Sequence, residues 1–378
     1  MTSSWDWKTN VSISRTNKEE SGTVAGMTFP VNVHDGSLWG GQDDATTLYS
    51  FGGTTSGFNE SYPSFEIPPT TEYGLWTYDL QQEIWAAVNT LETGITIPSW
   101  GANAESPTHG LGFYVGGQID SGTANSTQSL GNDTVGLGGM IVLDMTSNNV
   151  KNVTVPSDVK SNRQGAGMVY VDTFGDSGLL VLIGGQTADG LLSMDQIAVF
   201  DVSTVDLNDV STSNAQKNVW YTQTATGNAP DPRTDFCLIS APAQDNSSAN
   251  IYLYGGRSNG TIFDDVYVLS LPSFTWVNVF QGKDARWSIT CHFVPPRQMI
   301  TVGGGGKSTN ISSDCDWETK SLAVMDLSTI NTNGSGWGSV FDAAAPPYQV
   351  PDLVVAKIGG TSVSHPLSLW EIIELIDY

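Results

Sequence analysis

The stretch NIYLYGGRSNGTIFDDVYVLSLPSFTW (Asn250–Trp276) holds the pattern that decides the fold. A run of β-branched and aromatic residues ends in Gly-Gly, a polar turn follows, a second apolar run comes next, and a tryptophan closes the unit. The same order recurs along the chain. Gly-Gly pairs stand at Gly52-Gly53, Gly116-Gly117, Gly184-Gly185, Gly255-Gly256 and Gly303-Gly304, at intervals of 48 to 71 residues, which is the mark of a repeat architecture. The runs before them (TTLYSFGG, GLGFYVGG, LLVLIGG, NIYLYGG and MITVGG) are too apolar to leave one face in water, so they read as strands covered on both sides. Glycine there allows a turn at positive φ.

A second strand follows each pair: LWTYDL, MIVLDM, IAVFDV, VYVLSL and LAVMDL. Asp79, Asp144, Asp201 and Asp326 take equivalent places, with Ser270 substituting once, and an aspartate there caps the next turn. Trp85 and Trp276 come seven residues after Tyr78 and Leu269; Trp220 and Trp337 fill the same slot after insertions, and Val150 replaces it in the second unit. Four strands to a sheet with this Gly-Gly and aromatic signature resembles a kelch β-propeller, over about Trp5 to Gly360. The expected fold is all-β: a kelch-type β-propeller of five clear repeats, with a composite sixth blade stitched from the two chain ends to remove exposed sheet edges, in a single domain over residues 1–378. VPDLVVAKIGG is read as a short C-terminal helix rather than a sixth repeat, with Pro351 and Asp352 in its first turn and Gly359 at its end.

FCLISAPAQDNSSANIYLYGG, CHFVPPRQMITVGG and DCDWETKSLAVMDL resemble a fungal kelch family whose members carry a signal peptide and often a membrane tail. Those members usually begin with one more repeat, whose last strand resembles SSWDWKTNVSI, so this chain starts where a first repeat would end. The resemblance implies a disulfide between Cys291 and Cys315, leaving Cys237 as a small core residue. No run of eighteen apolar residues is present, so the given chain is not expected to span a membrane, and MTSSWDWKTN does not read as a signal peptide. Asn-X-Ser/Thr occurs at Asn10, Asn59, Asn125, Asn132, Asn152, Asn246, Asn259, Asn310 and Asn333, nine of 23 asparagines, against roughly four or five from composition alone. That excess points to N-glycosylation and to a secretory-pathway or extracellular location.

The net charge of −24 arises chiefly from a shortage of Lys and Arg, 15 against 39 acids. It argues against nucleic-acid backbones and anionic lipid surfaces as partners. No HxH or HExxH pair is present, and His34, His109, His292 and His365 lie far apart, so neither zinc nor any other metal or cofactor is expected. The histidine and tyrosine set that copper requires in galactose oxidase, another kelch propeller, is absent, and the chain has neither a GxSxG elbow nor a phosphate loop.

In a propeller, the segment leading into each first strand and the loop between the second and third strands emerge on one face, which would frame a ligand site. The lead-in segments carry Trp39, Trp100, Arg163, Arg233, Asp235, Arg286 and Trp287, with His292 following the last. The loop from 54 to 74 carries Phe58, Tyr62, Phe65 and Tyr73 and reads as an aromatic, proline-stiffened lid; the loop from 305 to 320 holds Cys315 and Trp317. Such a funnel suits apolar small-molecule substrates.

Two functions stay open. Some kelch-like fungal proteins act as hetero-Diels–Alderases that couple a tropolone-derived quinone methide to a humulene-type alkene, and the resemblance implies a metal-free cyclase of that kind. A pericyclic step needs only positioning and a donor to polarise a carbonyl. Trp100, Arg163, Arg233 and Asp235 would be its catalytic set; Trp39, Arg286, Trp287, His292, Phe58, Tyr62, Phe65 and Tyr73 would line the substrate site. The alternative is a secreted, non-catalytic module that presents the same face to a glycan or a protein.

Overall fold

A computed structural model of the chain describes residues 3–6, 30–43, 45–55, 74–88, 95–207, 217–283, 285–306, 322–330, 337–338 and 340–365. Five antiparallel sheets follow one another, each written here from its first strand outward. Blade 1 is Ser37–Trp39, Thr47–Phe51, Leu75–Asp79 and Ile84–Val88. Blade 2 is Ala102–Ser106, Leu111–Val115, Met140–Asp144 and Asn149–Val153. Blade 3 is Gly167–Val171, Leu179–Ile183, Gln196–Asp201 and Trp220–Thr224. Blade 4 is Cys237–Pro242, Ala249–Tyr254, Asp265–Leu271 and Thr275–Gln281, with Thr226–Gly227 added in parallel at its outer edge. Blade 5 is Thr290–Val294, Gln298–Val302, Leu322–Asp326 and Trp337–Gly338. First strands of successive blades touch one another, so this is a β-propeller with those strands nearest the axis.

Burial explains the order of the strands. The second strand of blade 3 is buried at all five residues, LLVLI, whereas its fourth, WYTQT, is mostly exposed. Burying a large aliphatic side chain contributes roughly 1.5–3 kcal/mol, against about 1–2 kcal/mol to order each backbone residue. The second strands therefore stabilise themselves by packing, and the outer strands depend on the ladder inward of them. The turn aspartates act as read from the sequence: Asp79 Oδ1 accepts from the Gln81 and Gln82 N–H groups at 2.8 and 2.7 Å, and Asp326 Oδ1 accepts from Ser328 and Thr329 at 3.0 and 3.2 Å. The slot tryptophans pack on aromatic partners, Trp85 on Tyr78 at 4.8 Å and Trp220 on Phe200 at 5.1 Å between ring centroids.

Two sets of backbone hydrogen bonds tie the blades together at one end. The N–H of the second glycine in a pair donates to the lead-in of the next blade: Gly53 to Pro98 O and Gly117 to Arg163 O at 2.8 Å, Gly185 to Arg233 O at 3.2 Å, and Gly256 to Arg286 O at 2.8 Å. Nearer the axis, Trp100 N donates to Asp35 O (2.8 Å), Gly165 N to Trp100 O (2.9 Å), Asp235 N to Gly165 O (3.0 Å) and Ser288 N to Asp235 O (2.8 Å). All five residues of this arc have φ between 53° and 61°. The first glycine of a pair is needed for space as well as for its conformation. A Cβ on Gly116 would lie 2.3 Å from Ser161 O and 2.5 Å from Arg163 O.

The described residues form five full blades; of the expected composite sixth blade they show only a short pairing of the two chain ends. Trp5–Asp6 pairs antiparallel with Val340–Phe341, Trp5 stacks on Phe341 at 5.5 Å, and the pair packs against Ile300 and Val324 of blade 5. Among the described residues this two-stranded ladder stands beside blade 5 and is not extended into a further four-stranded sheet. The expected helix is present at Asp352–Ile358, with Gly359 N donating to Val355 O at 2.8 Å; buried Val354 seats it on blade 4.

The cysteine reading is corrected. Cys291 is bonded to Cys237, not to Cys315, which lies outside the described residues. Cys237 opens the first strand of blade 4 and Cys291 is the second residue of the first strand of blade 5; these strands pack side by side with the two Cα atoms 5.6 Å apart. The bond therefore staples two blades rather than tying a loop to its own strand, and the Cys237 side of it is buried in the core.

Two outcomes test this architecture. Gly116→Ala is expected to lower unfolding free energy at least twice as much as Gly175→Ala. Both have positive φ (68° and 73°), but a Cβ at Gly175 meets nothing closer than 3.5 Å and carries only the left-handed backbone cost of about 1–2 kcal/mol. Non-reducing peptide mapping should recover Cys237 linked to Cys291. Cys291→Ser should then cost up to about 4 kcal/mol in chemical denaturation, the loop-entropy value for this spacing; a linked peptide containing Cys315 would contradict the structure.

Candidate functional site at the channel mouth

The face that carries the hydrogen-bonded arc also carries three small hairpins. They are Gln118–Ile119 with Val135–Gly136, Gln186–Thr187 with Gly190–Leu191, and Arg257–Ser258 with Thr261–Ile262. Each begins at the residue after a Gly-Gly pair, and that residue bridges to the lead-in of its own blade: Gln118 to Ser99, Gln186 to Gln164, Arg257 to Thr234. Lead-in and hairpin thus meet at the mouth because both bracket the same inner strands.

A cluster of four side chains forms there from blades 2, 4 and 5. The Trp100 indole N–H donates to Asp235 Oδ1 at 2.5 Å. Asp235 Oδ2 accepts from Arg257 Nε at 2.6 Å and from the Thr234 hydroxyl at 3.0 Å. The Arg257 guanidinium lies 4.0 Å from the centre of the Trp287 ring, a cation–π contact. The Asp235 carboxylate is 5% exposed, while the Arg257 side chain is 34% exposed. One side of Arg257 is therefore fixed and the rest faces a cavity of about 240 Å³ lined by Trp100, Gln186, Leu191, Thr234, Arg257 and Ile262 among others.

Trp100 spans a whole blade to reach its partner. It belongs to the lead-in of blade 2, Asp235 to that of blade 4, and between them stands Gly165 of blade 3. A Cβ on Gly165 would come within 3.0 Å of Trp100 Nε1 and 2.7 Å of Thr234 Cβ. The glycine leaves the gap through which the indole passes.

Of the residues expected at this mouth, Trp100, Asp235 and Trp287 come together. Arg163 and Arg233 do not join them. Arg163 is 4% exposed and donates to the carbonyls of Val159, Lys160 and Gly184, and burial lowers its pKa to about 10. Arg233 is fully buried, pairs with Asp265 at 2.5 and 3.2 Å, donates to Gly255 O and Asp231 O, and lies 3.6 Å from the centre of the Phe263 ring. Both guanidinium groups are buried and turned onto framework acceptors, so they hold blade segments together rather than face the mouth. Trp39 is likewise moved to the core. It is 1% exposed, stacks on Phe51 at 5.7 Å and packs between blades 1 and 2; the slot equivalent to Trp100 in blade 1 is Asp35, two residues before the strand as Trp100 is. His292 is exposed on the first strand of blade 5, on the opposite face from Cys291, and is not among the residues lining the mouth cavity. The Arg286 backbone takes part in the blade link, its N–H donating to Phe263 O at 3.1 Å. Phe58, Tyr62, Phe65 and Tyr73 lie outside the described residues. Arg257 was missed because it sits outside every lead-in segment; its signal is its place directly after Gly255-Gly256.

Residues 113–339 match the model of the KLHDC2/KLHL20/DRC7 Kelch-repeats domain. The chain belongs to this kelch-repeat family. It is 25% identical to a kelch repeat-containing protein of Arthroderma benhamiae over 90% of this chain and 55% of that protein. Acyl-CoA-binding domain-containing protein 5 of Arabidopsis thaliana is 25% identical over 47% of the chain and 25% of its own length, and the mouse Rab9 effector protein with kelch motifs is 30% identical over 25% of the chain and 26% of its own length. The chain thus spans between a quarter and just over half of these relatives.

Two arginine–aspartate pairs, Arg233–Asp265 and Arg257–Asp235, separate framework from candidate site by their exposure. Asp265→Asn strands a fully buried guanidinium and should cost about 3–5 kcal/mol. Asp235→Asn leaves a guanidinium that water can reach and should cost about 1 kcal/mol. Parallel urea titrations of the two variants check the ranking.

Proposed function

We propose that this kelch propeller binds, at the Trp100–Asp235–Arg257–Trp287 mouth, one planar unsaturated small molecule that carries a carbonyl or anionic oxygen. The observation that carries the reading is Arg257. Its Nε is held by Asp235 and its face by Trp287, while it remains one-third exposed beside Trp100. A guanidinium so held presents donors at fixed geometry with little ordering cost on binding, and an indole beside it offers a flat apolar wall. At about 240 Å³ the cavity lies just below the usual range for small-molecule sites, which favours one compact ligand.

The cyclase is the finer reading of the same site. A quinone methide seated on Trp100 with its oxygen accepting from Arg257 would be polarised as a heterodiene, and the alkene would approach from the open side. This step requires near-attack positioning and an electrostatic donor. Arg257 supports it by replacing Arg163 and Arg233 as the donor. The disulfide supports an oxidising compartment for the protein. Five of the sequon asparagines, Asn125, Asn132, Asn152, Asn246 and Asn259, are exposed and so accessible to the glycosylation expected there.

Tropolone, planar with an acidic oxygen, is the direct probe. Titration followed by tryptophan fluorescence should saturate, and Arg257→Ala should weaken binding by about 10- to 100-fold, the value of hydrogen bonds to a charged group. Unsaturable quenching, or equal affinity in Arg257→Ala, overturns the reading. Incubation with a quinone methide precursor and humulene decides the finer one: coupling faster and more stereoselective than without protein, and lost in Arg257→Ala, supports the cyclase. Tropolone binding with no rate effect leaves a binding module, and saturable affinity on a glycan array instead places a sugar at the rim.

A further inference from the structure

We propose that Asn259 carries an N-linked glycan that covers the mouth cavity and controls access to it. This rests on reading the mouth as the binding site and adds its regulation. Asn259-Gly260-Thr261 is an acceptor sequence, and it forms the tip of the Arg257–Ser258/Thr261–Ile262 hairpin. Asn259 and Gly260 have φ of 46° and 84°, the two-residue turn that favours Asn-Gly. The turn chemistry alone would explain both residues, but it does not call for Thr261, whose hydroxyl completes the acceptor. Asn259 is exposed, and it lines the cavity in company with Trp100 and Arg257.

The other described acceptors lie outside the cavity wall, two of them on the same face of the propeller. Asn125 and Asn132 stand in the loop between the second and third strands of blade 2, Asn152 on the outermost strand of that blade, and Asn246 in the turn joining the first two strands of blade 4, at the opposite end of the propeller. Asn259 lines the 240 Å³ cavity; none of these four does. The first two sugar rings of an N-glycan already exceed that volume, so a glycan rooted in the wall lies across the opening or along its rim. The acceptor chemistry is ordinary. Asn259 Nδ2 forms a C–N bond to the anomeric carbon of a lipid-linked oligosaccharide diphosphate, the anomeric C–O bond breaks, the lipid diphosphate leaves, and Nδ2 gives up one proton.

The test uses the whole chain secreted from a glycosylating fungal host. Mass spectrometry of the tryptic peptide running from Ser258 to Lys283, whose one acceptor is Asn259, should find it glycosylated. Hydroxyl-radical footprinting should then show oxidation of Trp100 rising two-fold or more when the glycans are trimmed with an endoglycosidase. The same trimming should leave Trp100 oxidation unchanged in Asn259→Gln and in Thr261→Val, the second keeping the asparagine its turn prefers, and should still raise it in Asn246→Gln. An unmodified Ser258–Lys283 peptide, or a glycosylated one with unchanged Trp100 oxidation on trimming, overturns the proposal. Footprinting needs no ligand, so absence of tropolone binding would defeat the binding reading while leaving the glycan cover standing on its own result.

Discussion

Adjacent blades meet through backbone hydrogen bonds that do not depend on any side chain. Four of them run along the arc Asp35, Trp100, Gly165, Asp235 and Ser288, and four more run from the second glycine of the first four pairs to the next lead-in. Every arc residue sits in the left-handed region, which costs about 1–2 kcal/mol for a residue with a Cβ. Such a conformation persists only where neighbours over-determine it. Here they do: Trp100, Gly165, Asp235 and Ser288 each donate to the preceding arc residue and lie two residues after a carbonyl that accepts from a Gly-Gly pair. The Gly-Gly signature is thus the inter-blade joint, and the strands behind it are positioned by that joint as much as by their own packing.

Most of this was legible in the sequence because the joint repeats. Five Gly-Gly pairs, four turn aspartates and the tryptophan slots located all five sheets, and the Pro351 to Gly359 stretch was rightly separated from the repeats. The Cys291 pairing was not legible. The family resemblance implied Cys315 as its partner, but strand adjacency across blades brings Cys237 to it, and adjacency of first strands is a property of the ring. Trp39 misled for a related reason. Its segment reads like the other lead-ins, yet its strand begins at Ser37, so the mouth slot falls at Asp35 and Trp39 points into the core.

The arginines separate by where they stand in the repeat. Arg163 and Arg233 precede a first strand, where the chain dives between blades, so their guanidinium groups enter the protein and satisfy carbonyls that the turns leave open. Burial without such partners would be prohibitive for a cation. Arg257 follows a Gly-Gly pair, where the chain rises out of the sheet to form a hairpin, so its stem lies on the surface and its head returns toward the axis. The same residue type gives framework in one register and a solvent-facing donor in the other. Composition could name the candidates, and the position relative to the Gly-Gly joint sorts them.

The mouth itself is held by a single gap. Blade 3 contributes the one glycine of the arc, and there the indole of a neighbouring blade crosses the slot. Trp100 passes over Gly165 to Asp235, so a side chain from blade 2 orients the carboxylate of blade 4 that in turn fixes Arg257. Side chains of three non-neighbouring segments therefore act as one unit, and a Cβ at position 165 would break the chain of contacts at its first link without touching Asp235 or Arg257 directly. The Trp100 wall and the Arg257 donor are set by the same carboxylate, whose two oxygens serve one each. That coupling ties the position of the flat wall to that of the charged group beside it.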